Sequence, residues 1–192
     1  MANSEGLDLR ICVRYNNNMF VLRTLSGRII TPNPRKVKRC PPHARIKGEI
    51  SVIRRMEARD LEAVASIWLA SNLEAHSFIP AEYWRGNYEA VKAALAQAEV
   101  YVYEDAAGVL GFVGLSGDYV EGIFVASDAR SHGIGRQLLD HVKATHRCLE
   151  LNVYAKNRRA VEFYQREGFE LKGSGVDPHT REEVFLFFWR DK

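Results

Sequence analysis

Two glycines and two arginines between an apolar strand and a helix could bind an anion. Arg130, Gly133, Gly135 and Arg136 follow the apolar residues 123–125 and precede apolar residues at helical spacing. The first N–H groups of a helix lack intrahelical partners and carry partial positive charge. Glycine lets a bulky anion approach that backbone closely. The junction therefore predicts a cradle for a diphosphate group.

Two common phosphate-binding patterns do not fit this junction. A P-loop requires Lys and then Ser or Thr after its second glycine, whereas Gly135 is followed by Arg136 and Gln137. A dinucleotide-binding fingerprint requires a third glycine, where this chain has Leu138. The remaining pattern, R-x-x-G-x-G, is also compatible with an ordinary turn between a strand and a helix.

A second motif, N-x-x-A-x-x-F-Y-x-x-x-G-F, covers residues 157–169. Its spacing places four residues on one face of a helix: Asn157, Ala160, Val161 and Tyr164. Gly168 stands where a glycine ends a helix. The two motifs together resemble those of the GNAT N-acetyltransferases, and the resemblance covers residues 51–192.

The resemblance implies an α/β GNAT fold. Its central sheet is mixed but mostly antiparallel, with six to seven strands flanked by four helices. The strands on either side of the CoA helix are expected to splay apart. The apolar patterns agree with the order β-α-α-β-β-β-α-β-α-β-β, in which residues 60–72 and 80–98 form the first two helices.

The same resemblance implies acetyl-CoA as cosubstrate and no metal. A backbone N–H of residues 123–125 would stabilise the charge on the thioester oxygen. Asn157 would contact CoA beside the phosphate loop, although it could be only a residue at the start of a helix. The residues expected to bind the cosubstrate are Phe124, Val125, Arg130, Ser131, Gly133, Ile134, Gly135, Arg136 and Asn157.

Acetyl transfer to an amine requires a neutral amine and a proton for the departing thiolate, yet an alkylamine has a pKa of about 10.4. By resemblance Tyr164 supplies that proton; alternatively it is a core aromatic residue. Many relatives carry a Glu base where this chain has Asn152. We therefore expect Glu121 to act as base, on a strand face shared with Ile123 and Val125 if the strand alternates regularly. Glu150, a water molecule or deprotonation in solution are the other options.

The segment between the first two helices predicts the acceptor site. His76, Phe78, Tyr83 and Trp84 could form an aromatic wall for an amine, with Asn152 beside it. The pattern is similar to that of small bacterial family members to which lysine acetylation has been ascribed. His76 could act as a base or bind the substrate. Alternatively, the segment is a packed corner between helices.

Composition limits the class of protein. The chain has 192 residues, of which 46% are hydrophobic and 27% charged, as in a soluble globular domain. Three cysteines without a C-x-x-C pattern favour a reducing cytoplasm over a disulfide framework or a zinc site. No apolar run approaches the length of a membrane span, and the charges at Glu5, Asp8, Arg10 and Arg14 give no indication of a signal peptide. The expected partner is a primary amine, on a protein lysine or a small molecule, and the protein is a monomer or homodimer.

Residues 1–50 differ from the rest of the chain. They carry ten basic and three acidic residues, a net charge of +7, whereas residues 51–192 have a net charge of −4. We predict a basic extension with a possible hairpin and a Pro-rich linker. We interpret it as non-native or over-extended sequence upstream of the domain. If functional, it could guide a tRNA-directed acetyltransferase toxin, although the acidic domain argues against nucleic acid. A separate alternative to the acetyltransferase function is that the chain is an acyl-CoA-binding regulatory module without turnover.

Overall fold

The fold is a seven-stranded sheet with helices on both faces. The computed structural model describes residues 51–191, and the predicted hairpin and linker lie outside them. The strands are β1 Val52–Arg55, β2 Glu99–Asp105, β3 Gly108–Ser116, β4 Tyr119–Val125, β5 Cys148–Tyr154, β6 Glu170–Val176 and β7 Glu183–Arg190. The α-helices are α1 Leu61–Ala75, α2 Ala81–Gly86, α3 Tyr88–Leu95, α4 Ile134–Lys143 and α5 Arg158–Arg166. The spatial strand order is β1-β2-β3-β4-β5-β7-β6.

The order of elements predicted from the sequence is confirmed, with one difference. The single helix expected over residues 80–98 is two helices, α2 and α3, so five α-helices flank the described sheet instead of four. Asn87 separates them, and its side-chain amide donates to the Tyr83 carbonyl at 2.7 Å. That bond satisfies a carbonyl at the end of α2 and lets the chain change direction.

Each face of the sheet has its own hydrophobic core. The first lies beneath α4 and α5 and contains Leu138 and Phe187, both fully buried. The second lies beneath α1 and α3 around Val64 and Phe112. Apolar residues of α4 recur at three- and four-residue spacing, so this helix buries one side against the sheet and leaves the other in solvent.

The sheet opens between β4 and β5. These parallel neighbours form one residue pair, Tyr119 with Glu150, whereas β3–β4 and β5–β7 are paired along most of their length. Beyond that pair the two strands diverge, as the sequence resemblance implied. Because α4 connects the two strands, its N-terminus lies at the wide end of the opening.

A β-bulge in β4 determines the direction of Glu121. The register between β3 and β4 shifts after Gly114, and Glu121 is the extra residue without a partner on β3. A Cβ atom on Gly114 would lie 3.8 Å from the Cβ of Glu121, so both face α1 and α3. Glu121 therefore does not share the face of Ile123, as regular alternation would require.

Candidate active site

The loop before α4, predicted to bind a diphosphate, has a distinctive backbone. Ser131 and Gly133 have positive φ angles of 67° and 82°, a backbone geometry that turns successive N–H groups toward one point. The first intrahelical bond runs from the Gln137 N–H to the Gly133 carbonyl at 3.0 Å. The N–H groups of residues 134–136 therefore have no partner within the helix and remain available to an anion.

The two arginines of this loop take different positions. Arg130 Nε donates to the Val125 carbonyl at 3.0 Å, and its guanidinium pairs with Glu74 near the end of α1. Arg136 is exposed and lies 3.6 Å from Asp140 on the same helix. Arg130 thus connects α1 to the end of β4, which the sequence did not predict. A phosphate contact by either arginine stays a prediction.

The backbone of β4 offers unpaired groups to the opening. The Ala126 N–H donates to the Leu110 carbonyl at 2.9 Å, which identifies a hydrogen-bonded pair of the β3–β4 ladder. Because such pairs alternate, the N–H groups of Ile123 and Val125 point away from β3, toward the opening. The Phe124 side chain instead stacks on Phe112, with ring centroids 5.0 Å apart.

Tyr164 lies in the core beneath the closed end of the opening. Its ring contacts Phe163 and Phe169 at centroid distances of 5.1 and 5.5 Å, and only 6% of the residue is exposed. Burial, with a smaller contribution from Tyr119, raises the pKa of the Tyr164 hydroxyl above its ordinary value. The hydroxyl therefore stays protonated at neutral pH, as a hydrogen-bond donor must.

Two polar residues flank the opening. Glu121 on β4 and Asn152 on β5 each lie two residues beyond the Tyr119–Glu150 pair. Asn152 follows a buried Leu151, so it faces the side of the sheet that carries α1. Glu121 is exposed as a whole residue, yet desolvation raises the pKa of its carboxyl above the ordinary value. Glu150, at the pair itself, is exposed.

The four aromatic side chains predicted for the acceptor site pack together, with a fifth beside them; their contact with an amine stays a prediction. Its members, here called the aromatic cluster, are His76, Phe78, Tyr83, Trp84 and Tyr154. The His76 ring stacks on Trp84 at 5.4 Å and meets the edges of Tyr154 at 5.0 Å and Phe78 at 5.6 Å. Tyr83 packs against Trp84 at 5.1 Å. Tyr154 was missed, although it lies two residues after Asn152 on the same strand face.

His76 connects the aromatic cluster to the start of α5. Its Nε2 lies 3.0 Å from Nδ2 of Asn157, and its Nδ1 lies 2.9 Å from Oδ1 of Asn72. Asn157 caps α5 by accepting the Ala160 N–H at 3.2 Å. Burial lowers the pKa of His76 to about 4, so the imidazole is neutral at pH 7. Asn72 was missed, although it precedes His76 by one helical turn.

Asp177, in the loop between β6 and β7, is another residue that the sequence did not suggest. It is 5% exposed, and its Oδ1 accepts the N–H groups of His179 and Thr180 at 2.9 and 2.8 Å. Its Oδ2 accepts the Tyr154 hydroxyl at 3.4 Å. Asp177 therefore holds this loop against the aromatic cluster. No spacing rule connects a loop residue with a strand residue so distant in sequence.

Two kinds of feature are absent from residues 51–191. No group of three or more His, Cys, Asp or Glu side chains there could hold a metal ion. None of the helices in that part of the chain is long and apolar enough to cross a membrane.

Comparisons with known proteins agree with this geometry. Residues 96–171 match the family model described as an acetyltransferase (GNAT) domain. The chain is 36% identical over 140 residues to the peptidyl-lysine N-acetyltransferase YiaC of Escherichia coli, covering 72% of this chain and 96% of YiaC.

Two solved structures are similar to this fold. The solution structure of apo YjaB from Escherichia coli matches with a TM-score of 0.66 and 29% identity, covering 73% of this chain and 97% of that one. The PaiA N-acetyltransferase of Thermoplasma acidophilum, solved with coenzyme A, matches with a TM-score of 0.62 and 17% identity, covering 74% and 99%.

Proposed function

We propose, from the premise that the chain belongs to the GNAT family of N-acetyltransferases, that it acetylates the side-chain amine of lysine in a protein. The acetyl donor of this N-acetyltransferase is acetyl-CoA. A relative with 36% identity bears the name peptidyl-lysine N-acetyltransferase, which supports lysine as acceptor. A small primary amine is the competing acceptor.

The observation that carries the proposal is the opening between β4 and β5. One edge offers the N–H groups of Ile123 and Val125, and the start of α4 offers those of residues 134–136. A thioester with a diphosphate tail needs both kinds of group, since it has an amide-containing arm and a doubly charged end. We assign the tail to the α4 cradle and the arm to β4.

The reaction would proceed by direct attack of the amine on the thioester carbon. The carbonyl oxygen gains negative charge, which a preorganised N–H on β4 stabilises. The C–S bond then breaks, and the electron pair leaves with the sulfur of CoA. Tyr164 would donate its hydroxyl proton to that thiolate, whose own pKa rises when it is desolvated. The nitrogen, which still carries two hydrogens and a positive charge after the attack, would release one proton to solvent as the amide forms. The Tyr164 phenolate would then regain a proton from solvent.

Glu121 would remove the proton of the incoming ammonium. It lies beside the opening on the face that carries the aromatic cluster, and desolvation raises the pKa of its carboxyl. A raised carboxyl pKa reduces the difference from the pKa of the ammonium, so proton transfer from the ammonium to Glu121 is less unfavourable. If the proton passes through one water molecule, Glu121 does not need to contact the amine directly.

The decisive experiment offers acetyl-CoA and a set of peptides that each contain one lysine. We expect free thiol to appear together with a mass gain of one acetyl group on the peptide. Matched peptides with Arg in place of Lys should stay unmodified, since the guanidinium keeps its proton. Turnover of small amines with silence on every peptide would refute lysine as acceptor while leaving acetyl transfer intact.

A further inference from the structure

We propose that His76 is a positioning residue: its imidazole holds the Asn157 amide, and thereby the start of α5, against the aromatic cluster. The role rests on the proposed function, because it serves the reaction that the opening supports. His76 would then connect the acceptor side of the site with the helix that carries Tyr164, without taking a proton from the substrate.

The hydrogen bonds leave one tautomer for His76. Asn157 uses Oδ1 to accept the Ala160 N–H, so its amide group Nδ2 faces the imidazole. An amide nitrogen only donates, and Nε2 of His76 must therefore carry a lone pair. The proton is on Nδ1, which donates to Oδ1 of Asn72 at 2.9 Å. Asn72 in turn donates from Nδ2 to the Trp68 carbonyl at 2.9 Å.

The same arrangement prevents His76 from acting as a base. Proton uptake at Nε2 would set an N–H against the amide hydrogens of Asn157, 3.0 Å away. The faces and edges of the ring are covered by Trp84, Phe78 and Tyr154, which desolvate an added charge. Both ring nitrogens are already committed, so the free capacity of His76 for substrate chemistry is small.

Loss of the acceptor atom should act through α5. Asn157 is the N-cap residue of this helix, and the helical spacing places Tyr164 on the side that Asn157 caps. When His76 no longer holds its amide, the start of α5 gains freedom relative to α1. We therefore expect weaker acetyl-CoA binding and slower transfer together, with an unchanged pH dependence.

Two substitutions of His76 distinguish the effect of its hydrogen bond with Asn157 from the effect of its ring packing. His76→Phe keeps an aromatic ring against Trp84 but removes both hydrogen bonds, and kcat/KM for acetyl-CoA should fall about five- to tenfold, the size of one hydrogen bond. His76→Gln keeps an acceptor oxygen and should recover most of that loss. Ile79→Val, a small loss of packing at a buried site in the same segment, controls for general destabilisation.

The pH profile distinguishes positioning from base catalysis. In both His76 variants the apparent pKa values of the profile should match the wild type. Disappearance of the acidic limb in either variant would make His76 a base and overturn the proposal. So would a His76→Phe enzyme with wild-type kcat/KM.

A measurement without turnover keeps the test independent of the proposed function. ¹⁵N NMR should find the proton of His76 on Nδ1 at pH 7. Asn157→Asp should raise the pKa of His76, because a carboxylate still caps the helix but accepts a hydrogen bond from the protonated ring. A proton on Nε2 in the wild type would refute the proposal. If no amine is acetylated, the proposed function fails, while this result still decides the role of His76.

Discussion

Nε2 of His76 lies 3.0 Å from Nδ2 of Asn157, although 81 residues separate the two in sequence. His76 is the C-cap residue of α1, and Asn157 is the N-cap residue of α5. The sequence suggested separate tasks for them, one toward the amine and one toward CoA. Their contact connects the end of α1 with the start of α5, so we expect a substitution of either residue to affect both proposed tasks.

Tyr164→Phe tests the proposed proton donor. Without the hydroxyl, the departing thiolate receives no proton from the protein, and kcat should fall about 100-fold. Release of free thiol at saturating acetyl-CoA measures the effect, and calorimetry should find unchanged acetyl-CoA affinity. Tyr88→Phe, which removes a hydroxyl 3.5 Å from Glu62, is the matched control. A Tyr164→Phe enzyme with full activity would remove Tyr164 from the mechanism.

Glu121→Gln tests the proposed base. Desolvation raises the pKa of the Glu121 carboxyl, so activity that needs its ionised form should fall as pH drops through that raised value. The variant should lose this acidic limb and most of its kcat/KM for the amine. Glu150→Gln, one strand away at the closed end of the opening, should behave like the wild type. Persistence of the limb in Glu121→Gln would exclude this carboxyl as base.

Two glycines of the phosphate loop should respond differently to alanine. A Cβ on Gly135 would lie 3.6 Å from the Phe163 ring, an ordinary contact, so Gly135→Ala should keep the melting temperature and raise KM for acetyl-CoA by crowding the anion. Gly133 has a φ of 82°, and a Cβ there would meet only the Gln137 side chain, at an ordinary 3.9 Å. Gly133→Ala should therefore cost about 1–2 kcal/mol of stability through its backbone conformation. Equal melting temperatures for the two variants would contradict this explanation.

The pH dependence of stability reports on His76. Its pKa is about 4 in the folded protein against an ordinary 6.5, so between these values the unfolded chain binds a proton that the folded protein does not. The contribution of neutral His76 to the free energy of unfolding should be complete above pH 6.5. It should be lost as the pH falls toward 4, a decrease of about 3 kcal/mol. Urea titrations measure it, and His76→Gln should have a flatter profile. A wild-type profile no steeper than that of the variant would refute the low pKa.

A chain that starts at residue 51 tests the basic extension. The described strand β1 begins at Val52, and the ion pair of Arg54 with Asp60, at 2.6 Å, lies wholly within the shortened chain. We expect acetyl transfer and the melting temperature to be retained. A loss of activity confined to polyanionic acceptors would instead favour the arm that guides an enzyme to nucleic acid.

Local patterns were sufficient for most of the fold. The apolar spacing of α4 and α5, the glycine that ends α5 and the turn at residues 105–108 each follow from short-range rules. Those rules did not predict the end of α2 at Asn87, because the hydrogen bond from Asn87 to the Tyr83 carbonyl lies inside an otherwise helical pattern. The direction of Glu121 also escaped them, because the bulge depends on the pairing of β4 with β3.

The sequence alone determined the family and most of the elements of the fold, because the motifs and apolar patterns that indicate them depend on residues near one another in the chain. Tertiary structure alone decided what those residues touch. The pairing of Arg130 with Glu74, the Asp177 loop against Tyr154 and the His76–Asn157 bond connect residues 23 to 81 positions apart. Such contacts form only once the strands have paired, because pairing brings residues that are distant in sequence side by side.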